Sequence, residues 1–196
     1  MSVELLNIDC MEYMAGLPDK AFDLAIVDPP YGIGESWKKD RYSKFYKHNS
    51  TYKNNSIPGP DFFEQLFRVS KNQIIFGANY FTDFLPARKG WIVWDKNRKW
   101  KASHMAEGEL AWHSFNVPLR IIKNTWNGFV VSEKRYGAHP HEKPVGLYKW
   151  VLSEYTTTGD KILDTHLGSG SSAIAAEHMG FYFVGCELDK DYYEAA

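Results

Sequence analysis

The sequence predicts an α/β domain built on a doubly wound, mostly parallel sheet. Short apolar runs alternate with helical segments along the chain, the order that produces parallel strands joined by helices. Residues 22–27 read FDLAIV, a nearly unbroken apolar run expected of a strand buried on both faces. Residues 160–180 pass from a short apolar segment through a glycine turn into a helical pattern. Four predicted strands end on a carboxylate: Asp9, Asp28, Asp164 and Glu187. Ligands of such sheets sit beyond the carboxyl ends of the strands, so these four are expected along one rim.

Taken in order, VELLNI (3–8) is a strand ending at Asp9, MEYMAGL (11–17) a short helix and PDKA (18–21) a turn. FDLAIV then carries the chain to Asp28. Residues 32–60 show no period and are rich in Gly, Lys, Asn, Ser and Tyr. So long a loop in a compact domain is functional or disordered. DFFEQLFRVS (61–70) places Phe62, Leu66 and Val69 on one helical face, with Asp61 as its cap. NQIIFGA (72–78) and GWIVWD (90–95) are strands. GELAWHSF (108–115) and VPLRIIKN (117–124) are expected as a pair near the sheet margin, giving it an antiparallel edge strand. KPVGLYKWVLSEYT (143–156) is a helix with Pro144 in its first turn, where the missing N–H does no harm. DKILD (160–164) is a strand, GSGSSAIAAEHMG (168–180) a turn and helix, FYFVGCE (181–187) a strand, and DKDYYEAA (189–196) begins a helix. No repeat or linker interrupts this order. One domain over 1–196 is expected, with 35–60 as an inserted basic and aromatic loop and no separate recognition domain.

Composition narrows the partners. The 196 residues are 44% hydrophobic, enough for a single core, and 16% aromatic, which places some rings on a working surface. The formal net charge is −1, yet residues 35–56 hold six Lys/Arg against two acids and residues 88–101 hold six against one. The rest of the chain holds 11 Lys/Arg against 21 acids. Basic charge concentrated on an acidic body is the pattern of a local polyanion footprint. No apolar run approaches the ~20 residues that span a bilayer, and MSVELLNIDC lacks the basic and apolar blocks of a signal peptide. A cytoplasmic location, no membrane partner and two buried thiols at Cys10 and Cys186 are therefore expected. His139 and His141 flank a proline without a third ligand at a workable spacing, so no metal is expected. Trp91, Trp94 and Trp112 lie in strand patterns and are expected in the core.

The glycine turn points to a nucleoside cofactor. Gly168 and Gly170 allow close backbone approach, and the following helix offers free N–H groups. Glu187 ends the next strand 23 residues after Asp164, near the spacing at which an acid takes ribose hydroxyls. These features alone leave a dinucleotide and S-adenosylmethionine open. An oxidoreductase on the same turn would need further βαβ units after residue 187.

Asp28-Pro29-Pro30-Tyr31 separates the two. DPPY after a buried strand, with a DxxxGSG turn later, resembles the amino-methyltransferases of DNA that act on adenine N6 or cytosine N4. DPPY first and the glycine turn near the end resembles the permuted β group of that family. NIDCMEYMAGLPDKAFDLAIVDPPYG (7–32), HPHEKPVGLYKWVL (139–152) and VGCELDKDYY (184–193) are similar to further family segments. The resemblance covers most of the chain apart from 35–60. One position departs: His166 stands where the family usually has phenylalanine, and it is expected to bring a pH-dependent charge close to the cofactor.

The resemblance implies a circularly permuted, Rossmann-like class I methyltransferase fold. It implies S-adenosylmethionine as cofactor, with Asp9 at its adenine, Glu187 at its ribose and Cys10 among its contacts. Asp164, His166, Gly168, Ser169 and Gly170 would cradle the methionine part, with Lys143 nearby. DPPY rather than SPPY resembles the adenine-N6 branch. An exocyclic amine is a poor nucleophile because its lone pair is delocalised into the ring. The Asp28 carboxylate and the Pro29 carbonyl can accept its two N–H bonds, and both bonds strengthen as the nitrogen becomes positive. Pro29 and Pro30 make the tip rigid. Tyr31 can stack on the flipped base, for roughly 1–3 kcal/mol.

Trp37, Lys38, Lys39, Arg41 and Lys44 in one basic segment, and Lys96, Arg98 and Lys99 in the other, are the expected DNA contacts. The expected partner is duplex DNA with a flipped adenine, read with the help of a homodimer or an added recognition subunit. A cytosine-N4 enzyme and a non-catalytic nucleic-acid-binding module with a decayed cofactor site are the competing readings.

Overall fold

A computed structural model of the chain describes residues 2–32, 57–97, 106–126 and 142–196. Its elements are β1 (Val3–Asn7), α1 (Cys10–Ala15), β2 (Phe22–Val27), α2 (Pro60–Val69), β3 (Ser70–Phe76), β4 (Trp91–Asp95), β5 (Gly108–His113), β6 (Arg120–Lys123), α3 (Val145–Tyr155), β7 (Lys161–Asp164), α4 (Ser171–Met179), β8 (Tyr182–Glu187) and α5 (Lys190–Ala195). Two short 3₁₀ turns, Ala78–Tyr80 and Thr82–Phe84, follow β3. The strands form one sheet in the order β1-β8-β7-β2-β3-β5-β4-β6.

Alternation along the central strands explains the two helical layers. Leu24 and Ile26 of β2, with Ile74 and Phe76 of β3, pack with Leu147 and Val151 of α3 and Ala175 of α4. Ala25 and Val27, with Ile75, face the other way and pack with Met14 of α1 and Phe62, Phe63 and Leu66 of α2. A strand covered on both sides must be apolar at successive positions, and residues 24–27 of β2 are. Each fully buried Leu, Ile or Phe side chain stabilises the fold by about 1.5–3 kcal/mol relative to exposure.

Four expectations change. GELAWHSF and VPLRIIKN do not pair, because β4 lies between β5 and β6. The antiparallel strand is β5, which is antiparallel to both β3 and β4 and so sits inside the sheet rather than at its edge. Burial gives the reason: Ala111, Trp112 and His113 of β5 are all buried, whereas β6 buries Ile122 and exposes Ile121. A strand buried on both faces belongs in the interior, and a half-exposed one at the margin. In α2 the cap is Gly59 and Pro60 is the first helical residue, with Asp61 inside the first turn, where its charge complements the helix dipole. Pro144 likewise precedes α3 as its cap residue.

Trp94 and Trp112 are buried in the core, with their indole N–H groups donating to the carbonyls of Asn124 (3.1 Å) and Pro86 (3.0 Å). Arg68 of α2 reaches the end of α1 and donates to the carbonyls of Met14 (2.6 Å) and Leu17 (2.7 Å). Helix α1 has no basic residue in its own last turn, so Arg68 supplies that charge from outside. Cys10 and Cys186 are free thiols. Among the described residues no helix is long and apolar enough to cross a membrane.

Candidate active site

β1, β8, β7 and β2 are consecutive and parallel, so Asp9, Glu187, Asp164 and Asp28 follow one another along a single rim. They do different work there. Asp9 is exposed and caps α1, accepting the Met11 N–H at 2.7 Å. Beside it the Cys10 thiol is pushed up to about 12 by burial and the nearby Asp9 charge, so it stays protonated.

Asp164 is a latch. It is buried, and its carboxylate accepts the Ser172 hydroxyl at 2.6 Å and the His166 backbone N–H at 3.0 Å. One side chain thus ties the start of the glycine turn to the first turn of α4. Burial pushes its carboxyl up to about 7, against the pull of those two donors. Gly168 and Gly170 have φ of 55° and 73°, the left-handed region that glycine enters without strain. The Gly168 N–H donates to Glu187 Oε2 at 2.8 Å, and the Asp189 N–H donates to Glu187 Oε1 at 2.9 Å. Glu187 therefore stands against the turn and is oriented by backbone. Ser169 is buried, with its hydroxyl 3.0 Å from that of Ser171. Helix α4 begins at Gly170 with no side-chain cap, so its first N–H groups are turned toward the glycine turn.

The His166 expectation is corrected. Its ring packs edge-on to Phe62, 5.4 Å between centroids, with Nδ1 2.9 Å from the Thr165 hydroxyl. Burial pushes it down to about 4, outweighing the attraction of Asp28 and Asp9. His166 is neutral near pH 7 and behaves as an aromatic ring.

Asp28 follows β2 directly. One carboxylate oxygen accepts the Tyr31 hydroxyl and the other accepts the Lys143 ammonium. Lys143 is thus held by the DPPY tip. Its Nζ lies 3.4 Å from Glu109 Oε2 and 3.4 Å from the Tyr31 hydroxyl. Burial would lower its pKa, but Asp28 and Glu109 raise it above the usual lysine value, so it stays charged. Burial also disfavours the Glu109 anion, yet Lys143 and Lys96 overcome this and hold its carboxyl at about 2. The Tyr31 ring stacks on Tyr80, with centroids 5.0 Å apart and planes 13° apart. It lies so close to Gly77 (φ 66°) that a Cβ there would sit 2.0 Å from the ring. Burial, with Asp28 next, holds the Tyr31 hydroxyl well above the usual tyrosine range.

Lys96 is also reassigned. Its ammonium pairs with Glu109 Oε1 at 2.5 Å and lies 4.9 Å over the Trp94 ring, with 17% of the side chain exposed. It is a structural cation at the end of β4. Trp37, Lys38, Lys39, Arg41, Lys44, Arg98, Lys99, His139 and His141 lie outside the described residues.

Glu109 and Tyr80 escaped the sequence reading. Glu109 is a lone carboxylate in the strand pattern GELAWHSF, and Tyr80 follows the glycine of IIFGANY. Neither carries a motif, and only the pairing of β5 with β3 brings Glu109 to the rim.

Comparison with known proteins adds the following. The family model described as "DNA methylase" (N6_N4_Mtase) matches residues 90–196. The type II methyltransferase M2.DpnII of Streptococcus pneumoniae is 32% identical over 107 residues, which is 54% of this chain and 39% of that protein. The M1.HpyAVI–SAM complex superposes with a TM-score of 0.60 at 19% identity, covering 100% of this chain and 98% of that one. The PvuII DNA methyltransferase, a cytosine-N4-specific enzyme by its description, gives a TM-score of 0.67 at 15% identity over 100% and 85%.

Proposed function

This chain belongs to the N6/N4 DNA methylase family, and on that premise we propose that it transfers a methyl group from S-adenosylmethionine to the exocyclic N6 of adenine in DNA. One observation carries the reading. β2 and β7 are hydrogen-bonded parallel neighbours, so Asp28 and the glycine turn open onto the same stretch of rim. A cofactor on the turn and a base at the tip would then meet.

The residues present fit an adenosyl cofactor. Each Glu187 oxygen accepts one backbone N–H and keeps a further lone pair for a ribose hydroxyl. The uncapped start of α4 suits a carboxylate. Asp9 stands on the same rim for the adenine, with Cys10 beside it, while Gly168, Ser169 and Gly170 line the turn. When bound, the cofactor supplies an electrophilic methyl group on a sulfonium.

At the tip, Asp28 accepts one N–H of the target amine and the Pro29 carbonyl accepts the other. This moves the nitrogen lone pair out of the ring and stabilises the cation that forms. Pro30 holds the turn. Tyr31 and Tyr80 make an aromatic platform for the flipped base, with Tyr80 the exposed ring of the pair at 42%. The amine loses its proton after transfer, so Asp28 need not be a strong base. The basic segments, with Trp37, Lys38, Lys39, Arg41, Lys44, Arg98 and Lys99, would follow the phosphates. A second copy or another subunit would complete site recognition, and the chain would act as one catalytic domain.

The test is transfer of tritiated methyl to unmethylated duplex DNA, followed by chromatography of the digested nucleosides. N6-methyladenine is expected. Asp28→Ala should lower incorporation by a factor on the order of a hundred or more, with the melting curve preserved. Full incorporation by that variant would sink the mechanism. The likeness to the PvuII enzyme favours a second reading, cytosine N4, and label in N4-methylcytosine would establish it instead. Cofactor binding with no label on any DNA would identify a binding module.

A further inference from the structure

We infer that Glu109 is a positioning residue for methyl transfer: it is a second anionic seat for Lys143, which leaves Asp28 when the target amine arrives. The inference rests on the methyltransferase reading above.

The geometry sets out the problem and its solution. Both oxygens of Asp28 are engaged, one by the Tyr31 hydroxyl and one by Lys143. A lysine ammonium in that place competes with the target amine for the carboxylate. It also sets a positive charge beside a nitrogen that must itself become positive. Lys143 is almost fully enclosed, with 5% of its side chain exposed, so water cannot take its charge when it moves. Leaving Asp28 without a new anion would strand a buried cation.

Glu109 supplies that anion. Its Oε1 is held by Lys96 at 2.5 Å, which fixes the orientation of the carboxylate. Its Oε2 is buried, accepts no close hydrogen bond among the described residues, and stands in a loose ion pair 3.4 Å from Lys143 Nζ. A buried carboxylate oxygen held only by a loose ion pair gains when that contact closes to a hydrogen bond. Closing the gap to a charge-assisted hydrogen bond takes about half an ångström, the first part of the longer movement that frees Asp28. No proton changes place: Lys143 stays an ammonium, and Asp28 and Glu109 stay carboxylates. Before the base enters, Lys143 is hydrogen-bonded to Asp28 and loosely paired with Glu109, whose other oxygen Lys96 holds. Afterwards Asp28 holds the amine, and Glu109 holds both lysines.

The test is steady-state methylation of duplex DNA that the wild type labels, alongside calorimetry with S-adenosylmethionine. Glu109→Gln keeps the shape and removes the charge. Its kcat should fall about a hundredfold, with cofactor Kd and the KM for DNA within about threefold of wild type. Glu109→Asp keeps the charge and should recover part of the loss, and it serves as the variant to measure if Glu109→Gln does not fold. Because Glu109 acts through Lys143, Glu109→Gln combined with Lys143→Met should lose no more than the worse single variant. An unchanged kcat in Glu109→Gln overturns the inference. So does a loss that appears equally in cofactor affinity, or losses that multiply in the double variant. A wild type that labels no DNA, or an Asp28→Ala variant that labels it fully, overturns the underlying reading instead and the inference with it.

Discussion

His166 and Asp164 sit two residues apart and are displaced in opposite directions by the same cause. Burial pushes the His166 imidazole down to about 4 and the Asp164 carboxyl up to about 7. Unfolded, His166 takes a proton near pH 6.5, whereas folded it resists until about 4, so the stability it allows above 6.5 is lost as pH falls through that window. Asp164 behaves oppositely. Folded, it gains its proton near 7, whereas unfolded it does so near 3.8, so the same fall in pH restores stability. The two effects offset each other between about pH 6.5 and 4. His166→Phe removes one of them. Its melting temperature should gain on the wild type steadily as pH falls from 6.5 to 4 and show a constant difference above 7. Scanning calorimetry at several pH values checks this, and a difference independent of pH would mean that folded His166 titrates normally.

At the scale of elements, the joins between helices and strands matter more than the elements themselves. Helix α1 has six residues, too few to be stable alone, and it bears the Asp9 end of the rim. Arg68 holds its far end through the Met14 and Leu17 carbonyls and also pairs with Asp19 at 3.1 Å. Arg68→Ala should lower stability by about 2 kcal/mol, most of it from the two charged bonds to carbonyls, since the Asp19 pair is solvent-exposed. Urea unfolding measures the loss, and a change below about 0.5 kcal/mol would assign α1 to core packing alone. The glycine turn is joined in the same way, with Asp164 tying it to α4 and Glu187 tying it to β8.

For the whole molecule, sheet order is what assembles a site from distant segments. Asp28, Lys143, Glu109 and Lys96 come from four parts of the chain and meet because β5 turns back between β3 and β4. The charge distribution also belongs to this scale. Lys96 is occupied by Glu109, so the polyanion footprint falls to the remaining cations of the two basic segments. DNA affinity should drop by at least about tenfold between 50 and 200 mM salt. Joint replacement of Lys38, Lys39 and Arg41 by Gln should flatten that dependence, as measured by fluorescence anisotropy. An unchanged salt slope would remove this segment from the interface.

The sequence by itself determined the α/β class, the order of strands and helices, and the carboxylates that tip four strands. Apolar period and turn chemistry are local properties, and local patterns record them. DPPY and the glycine turn were legible for the same reason, since each lies within a few adjacent residues. Tertiary structure alone decided that β5 lies inside the sheet, that Lys143 binds Asp28, that Lys96 pairs with Glu109, and that His166 is neutral. Each of these depends on which distant group fills the space around a side chain. Pairing across a sheet and loss of water around a charge arise only when the chain is folded, and no spacing along it records them.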